Sequence, residues 1–251
     1  RSDKLKLPEL KIADLKAIKE MVKDTDIKLV VDNTFSPLVV SPYDLGADVV
    51  IYSLTKFMNG MNDILGGAVA GTHEFISSLK SVHDGAAMLL GPVLDSLRAS
   101  SIYKNLHTLH IRMKQHSKNA MYVAENLEKI GVNVFYPGLK SHRQHELISS
   151  MINEEYGYSG MITIDAKNEE KANKLMMLMQ ERKVGYFAVS LGYYKTLFSS
   201  PGSSTSSEIP KEEQEEMGMT GGLIRFSVGL DNDIEDSFRR IKSCIDEVDL
   251  I

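Results

Sequence analysis

Ala47-Asp-Val-Val-Ile-Tyr-Ser-Leu-Thr-Lys56 is the stretch on which the fold turns. Its centre, Val49-Val50-Ile51, reads as a buried strand, because β-branched side chains in sequence fit a sheet covered on both faces. Such a run normally ends in turn residues. This one delivers Ser53, Thr55 and Lys56 together at its carboxyl end, where open α/β sheets hold their ligands. Partial withdrawal from water destabilises the lysine's ammonium, lowers its pKa, and leaves a free amine able to attack a carbonyl. A lone lysine after a strand is more often a solvated surface residue, so its companions decide the reading.

The main companion is Lys28-Leu-Val-Val-Asp-Asn-Thr-Phe35. Leu29 to Val31 reads as a second buried strand, ending in Asp32. A carboxylate there is costly to bury unless a cation or donors answer it. Asp32 and Asn33 could instead simply form a turn. Two strands ending at one edge, one with an acid and one with an amine, suit a pyridoxal phosphate pocket. The lysine would form an imine with the aldehyde carbon, and Asp32 would keep the pyridine nitrogen protonated so that the ring accepts electrons. Ser53 and Thr55 are suited to hydrogen-bond the phosphate.

Val30-Val-Asp-Asn-Thr-Phe-Ser-Pro37, Leu45-Gly-Ala-Asp-Val-Val50 and Tyr52-Ser-Leu-Thr-Lys-Phe-Met-Asn-Gly60 together resemble the Cys/Met-metabolism family of pyridoxal-phosphate enzymes. The likeness continues through Gly91-Pro-Val-Leu94, Leu109-His-Ile-Arg-Met113, Ala188-Val-Ser-Leu-Gly192 and Leu223-Ile-Arg-Phe-Ser-Val-Gly-Leu230. Within the family, Tyr136-Pro-Gly-Leu139, Glu170-Lys-Ala-Asn-Lys-Leu175 and Ser190-Leu-Gly-Tyr-Tyr194 look most like the methionine γ-lyases. The resemblance implies an α/β, fold-type-I pyridoxal-phosphate-dependent transferase-like fold. Residues 1–105 would be the C-terminal half of a large, parallel-sheet cofactor domain, and residues 106–251 a small α+β domain. The implied activity is carbon–sulfur lyase chemistry in methionine and cysteine metabolism, by α,γ-elimination of methionine or a related γ-substituted amino acid. Cystathionine γ-lyase, γ-synthase or homoserine sulfhydrylase chemistry is the alternative. A homodimer or homotetramer is implied too.

Chain order in the family places a long region before residue 1. By resemblance that region supplies a glycine-rich phosphate loop, a ring-stacking tyrosine and residues reaching into a neighbouring subunit. A separate N-terminal half is therefore an expected partner, and an inactive truncated subunit acting in interactions is the non-enzyme reading. A third reading is a plain α/β binding module for another phosphate ligand.

A net charge of −5 over 251 residues gives no electrostatic case for nucleic acid. No apolar run approaches the ~20 residues that cross a bilayer. One cysteine, Cys244, excludes an intramolecular disulfide framework and fits a reducing cytoplasm. The thirteen methionines read as flexible core filler.

Along the chain, Ile12, Leu15, Ile18 and Met21 predict an amphipathic helix, and Ser41-Pro42 predicts a short helix closed by Gly46. Gly66 to Gly71 reads as a third buried strand, and Phe75 to Val82 as a helix before a loop at Gly85 to Gly91. One long helix is predicted from Leu106 to Ile130, ended by Gly131. Strands follow at Val132 to Tyr136, Met161 to Asp165, Tyr186 to Val189 and Leu223 to Val228. Helices are predicted at Glu169 to Arg182 and Ile234 to Val248, the latter with Asn232 and Glu235 as a capping box. Elements mixed in this way suggest an antiparallel sheet. Ser199 to Ser207 reads as a polar loop and Lys211 to Glu216 as a solvated helix.

Arg225 lies inside an apolar strand and cannot lose its charge, so it needs an anion. An internal salt bridge is one answer. By resemblance, Arg225 instead grips the substrate α-carboxylate through two parallel hydrogen bonds, with Ser190 assisting. The pairs His107/His110 and His142/His145 lack the further ligands that a metal requires, so no metal is expected. Departures from the family pattern fall at Met61 where histidine is common, at Lys104-Asn105 where Arg-Gly is common, and at Lys195 where an acid is usual.

Overall fold

The computed structural model describes residues 10–201, 210, 212, 213 and 221–251. The described chain opens with helix α1 (Leu15–Val22), capped by the Asp14 carboxylate, which accepts from the Ala17 N–H. Leu15 is buried but Met21 is exposed. A spacing of three residues advances roughly 300° around a helix, so Met21 has rotated off the face that carries Leu15.

Strands β1 (Val30–Asp32), β2 (Val49–Ser53) and β3 (Gly67–Gly71) form a sheet in that order. β1 and β2 run parallel, pairing Val30 with Val49 and Asp32 with Ile51. β3 runs antiparallel to β2, from Val49 opposite Gly71 to Ser53 opposite Gly67. The expectation of three buried strands holds for the centre only. Val49 and Val50 are buried, whereas Val30 is 53% exposed and Val69 48% exposed. β1 and β3 are edges, and nothing among the described residues covers these side chains.

Asp48 ties α1 to the sheet: both carboxylate oxygens lie 3.0 Å from Lys19 Nζ, and Oδ2 accepts from Leu29 N–H at 2.8 Å. The Leu29 amide first, then Lys19, holds this carboxyl below its ordinary 3.8. Asp48→Asn should cost about 1 kcal/mol at pH 7. A depressed folded pKa stabilises above the unfolded value, so urea titrations should show the deficit in full above pH 3.8 and closing as pH falls below it. A deficit unchanged down to pH 2 would rule this out.

A 3₁₀ turn at Tyr43–Leu45 starts from Pro42, not from a Ser41 cap, and Gly46 closes it at φ +97°. After β3 come α2 (His73–Leu79) and α3 (Ala86–Leu90), the latter where a loop was expected. Then comes α4 (Ser96–Leu106), in a stretch to which the sequence assigned no element, followed by α5 (Leu109–Lys129), the predicted long helix with its start three residues later. The Thr108 hydroxyl donates to the Asn105 carbonyl, a local bond that competes with helix continuation at that corner. Met88, Leu89, Leu90, Val93 and Leu97 form an apolar stretch, each residue 55–85% exposed.

The remainder supplies β4 (Val134–Phe135), α6 (His145–Ser149), β5 (Met161–Asp165), α7 (Glu169–Glu181), β6 (Tyr186–Phe187), β7 (Leu197–Ser199), β8 (Leu223–Ser227) and α8 (Ile234–Glu247). The sheet order is β4-β5-β8-β7-β6, antiparallel except for β6 with β7. One face, with Ile162, Ile164, Phe198, Ile224 and Phe226, joins Ala120, Leu127, Leu175, Met179, Cys244 and Ile245 in the larger core. Asp233, rather than Asn232, caps α8 by accepting from Asp236 N–H. β7 was not expected; its Ser199 belongs to a strand rather than to the polar loop. The rest of that loop, and most of Lys211 to Glu216, lie outside the described residues apart from 200, 201, 212 and 213.

Candidate active site

β2 leads straight into one tight π-helical turn, Leu54–Met58, in which Lys56 leaves helical geometry at φ −90°, ψ −135°. Phe57, the next side chain, is fully buried, in edge contact with the His116 ring at 5.1 Å between centroids. The turn is thus anchored from below while the half-buried Lys56 amine stays clear of the core. Lys56 Nζ donates to Ser190 Oγ at 2.9 Å, and that hydroxyl donates to Asn62 Oδ1 at 2.7 Å. Burial, and then the nearby Arg225 guanidinium, pull the lysine pKa below its ordinary value. Among the described residues no carboxylate pairs with it, so the amine is poised to lose a proton.

Arg225 stands on β8 between Thr163 of β5 and Ser199 of β7, its cross-strand neighbours. Ile224 and Phe226 point into the core, so alternation puts Arg225 on the opposite face, toward Lys56. Burial lowers its pKa, and no acid among the described residues answers it. The internal salt bridge considered from sequence is therefore absent there. Thr163 Oγ1, buried on the same face, has no hydrogen-bond partner. A guanidinium without an anion beside an orphaned hydroxyl is a site for an anionic group.

Asp32 sits at the carboxyl end of β1, beside the end of β2, but it is exposed rather than buried. Its Oδ1 accepts from Thr34 N–H at 2.9 Å, so the turn considered for Asp32 does form. No bond occupies Oδ2 among the described residues. The edge position of β1 removes the desolvation cost on which the sequence argument leaned. Ser53 N–H donates to Thr34 Oγ1 at 2.8 Å, which locks the ends of β1 and β2 together. The Ser53 hydroxyl has no partner among the described residues. Thr55 Oγ1 accepts from Gly66 N–H at 3.2 Å and keeps its own proton for an acceptor.

The structure therefore joins Lys56 to Ser190 by contact and to Arg225 by charge, while Asp32 and Ser53 are joined through Thr34. Asp32 and Arg225 make no contact with each other. Thr34, Asn62 and Thr163 were missed in the sequence. Thr34 stood inside the quoted Asp32 segment and Asn62 immediately beyond Asn59-Gly60-Met61; Thr163 gave no signal. No cluster of three metal-capable residues occurs among the described residues.

Donors at Lys56, Ser53, Thr55 and Arg225, with a free acceptor on Asp32, fit a phosphorylated aldehyde and an amino-acid carboxylate. The chain is 42% identical over 236 residues to a methionine γ-lyase of Arabidopsis thaliana, covering 94% of this chain and 54% of that protein. It is 36% identical to a cystathionine γ-lyase of Dictyostelium discoideum, covering 96% and 60% respectively. A crystal structure of cystathionine γ-synthase from Xanthomonas oryzae pv. oryzae, in complex with aminoacrylate and cysteine, superposes with a TM-score of 0.87 at 31% identity. That match covers 96% of this chain and 61% of the other, and it identifies the fold as that of fold-type-I pyridoxal-phosphate enzymes. The chain thus spans a little over half the length of the relatives it matches. The pattern of the Cys/Met metabolism PLP-dependent enzymes matches residues 5–244, and the chain belongs to that family.

Proposed function

We propose that this chain carries the lysine, phosphate and carboxylate contacts of a pyridoxal-phosphate-dependent lyase of sulfur amino acids, acting by α,γ-elimination on methionine or a related γ-substituted amino acid. The observation that carries the reading is the Lys56 amine, depressed in pKa and facing Arg225, with no carboxylate among the described residues paired to either. Lys56 would hold the cofactor's aldehyde carbon, Ser53 and Thr55 its phosphate, and Asp32 its ring nitrogen. Bound there, the cofactor supplies an electron sink for the pair left at Cα after deprotonation.

The chain's own groups do the rest. Arg225 fixes the substrate carboxylate and so orients Cα toward Lys56. Ser190, its proton held by Asn62, presents a lone pair to Lys56 and keeps the amine at one position. Lys56, once free, can take the α-proton, because burial has lowered its pKa toward the working range. The relatives bearing cystathionine names leave cystathionine and homoserine esters as the competing substrates.

We also read residues 1–105 and 106–251 as parts of two domains, and the assembly as a homodimer or homotetramer in the cytosol. The exposed apolar stretch from Met88 to Leu97 supports an oligomer, and the single buried, unpaired Cys244 suits a reducing compartment.

Supplied with pyridoxal phosphate and methionine, the protein should release 2-oxobutanoate, methanethiol and ammonia in equal amounts, assayed separately. Ammonia and keto acid from cystathionine but not methionine would move the assignment to cystathionine cleavage, and no keto acid from any γ-substituted amino acid would overturn the lyase reading. Arg225→Met separates binding from folding. Removing a half-buried cation with no counter-charge should leave Tm unchanged or raise it. The lost bidentate contact should cut kcat/KM for methionine about 100-fold or more. The matching amine, which lacks the carboxylate, should bind both proteins alike. Equal loss for acid and amine would refute the carboxylate role.

A further inference from the structure

Among the described residues, Arg112 on α5 is the most heavily engaged cation in the vicinity of Lys56, yet it touches neither Lys56 nor an acid. Its Nη1 donates to the Phe57 carbonyl at 2.5 Å, and its Nη2 to the Met58 carbonyl at 2.9 Å and the Asn105 carbonyl at 3.1 Å. Its Nε donates to Thr108 Oγ1 at 3.1 Å. Two of these acceptors are the carbonyls of the residues that immediately follow Lys56. The guanidinium fits because Gly60 has no side chain: an added Cβ there would lie 2.4 Å from Nη1. The turn is tied again through Asn59, whose Oδ1 accepts from Asn105 Nδ2 at 2.8 Å and whose Nδ2 donates to Asp63 at 2.7 Å. Asn105, one of the departures from the family pattern, therefore serves the lysine turn from both its backbone and its side chain.

From this geometry we infer that Arg112 is a positioning residue for Lys56: it fixes the carbonyls after the lysine, holds the π-helical turn at its non-helical point, and so keeps the amine against Ser190. The physical case rests on what the guanidinium gives up. It is half-buried, and burial without a carboxylate lowers its pKa to about 10. A cation placed there purely for stability would be better answered by an acid. Carbonyl acceptors alone repay the desolvation only if all are held at fixed positions, and a planar five-donor fork can hold three carbonyls and a hydroxyl at once where an ammonium cannot. The ends of β2 and α5 are thereby locked in one geometry, with Lys56 between them.

The inference rests on the reading of Lys56 as a depressed amine, and the test keeps the two apart. Each lysine of the intact protein is titrated by its rate of acetylation with acetic anhydride across pH, resolved by peptide mass spectrometry, without cofactor. The charged group acting on Lys56 is Arg225 from β8; its neutral contact is Ser190, whose hydroxyl is bonded in turn to Asn62. In the unsubstituted protein Lys56 should titrate below the surface lysines. If it titrates with them, the reading of Lys56 fails. In Arg112→Ala the Lys56 midpoint should climb to that of the surface lysines while theirs stay put. Guanidinium ion, well below denaturing concentration, should return it by occupying the vacated site. Arg112→Lys keeps charge and stem but not the fork, so its midpoint should move only part of the way. This variant carries the test if the alanine protein does not fold. A depressed wild-type midpoint that stays unmoved in the folded variants, or that moves without guanidinium rescue, overturns the positioning role.

Discussion

Lys56→Ala is expected to abolish borohydride-stable attachment of pyridoxal phosphate to this chain, from one pyridoxyl group per chain to none. Lys56 is the amine that the structure both half-buries and sets beside Arg225, and its pKa falls for those two reasons in that order. Other lysines are held differently. Lys19 is paired with Asp48, and Lys114 is paired with Glu155, which raises its pKa. The Lys114 ammonium is favoured where that of Lys56 is disfavoured, so at neutral pH Lys114 is a poor nucleophile toward an aldehyde. Fold loss cannot mimic the result. The alanine variant removes a desolvated cation from beside another, so its Tm should equal or exceed that of the unsubstituted protein. The measurement is a reduced-peptide mass map with and without the substitution, together with the visible absorbance lost on reduction. Undiminished pyridoxyl incorporation in Lys56→Ala would show that another amine carries the cofactor and would remove the basis of the proposed function.

The elements that carry this amine were legible because strong local rules set them. A run of β-branched residues ending in hydroxyls and an amine fixed β2 and its edge. The parallel pairing of β1 put Asp32 at that same edge, as expected. Burial was less legible. Val30 and Val69 are apolar and belong to strands, yet they face solvent, because burial depends on which partner surfaces exist and not on the strand's own residues. Asp32 followed the same logic: its residue type and place were readable, and its exposure was not. Helix ends were the other weak point. The periodicity through residues 106–130 was real and α5 follows it, but the helix starts three residues late, where the Thr108 hydroxyl bonds the Asn105 carbonyl and separates α5 from α4.

Within the candidate site, the contributing side chains stood out by chemical type, whereas their supports did not. Arg225 was conspicuous as a cation in an apolar strand. Arg112 looked like an ordinary helix-surface residue, since nothing in a helical stretch announces that its guanidinium reaches carbonyls more than fifty residues away. Ser190 was named, but the Asn62 carbonyl that orients its hydroxyl was not. Such partners are set by tertiary approach, and one sequence carries no local trace of them.

Gly192→Ala tests the tightest of these approaches, and a loss of about 3 kcal/mol is expected. Gly192 adopts φ +74°, in the left-handed region, which costs a side chain roughly 1 kcal/mol by itself. The larger part is steric. A Cβ there would sit 2.3 Å from Phe57 N, 2.7 Å from Phe57 Cα and 2.8 Å from the Lys56 carbonyl carbon. All three are backbone atoms, so no rotamer change relieves the clash. Retreat on the glycine's side is blocked as well, because Gly192 N–H donates to Ser227 Oγ at 2.8 Å in a buried bond. The turn bearing Lys56 would have to yield, taking the amine away from Ser190. Gly91→Ala is the matched control: φ is +65°, but nothing lies within 4 Å of the added carbon, so only the conformational cost remains. By thermal unfolding the two should differ several-fold, with Gly192→Ala lowering Tm by roughly 6–12 °C. At temperatures where Gly192→Ala is still folded, it should also trap pyridoxal phosphate on Lys56 far more slowly than Gly91→Ala. Equal Tm losses would mean that the lysine turn is soft enough to absorb a methyl group. Equal trapping rates would mean that the position of Lys56 does not depend on the packing of Gly192 against it.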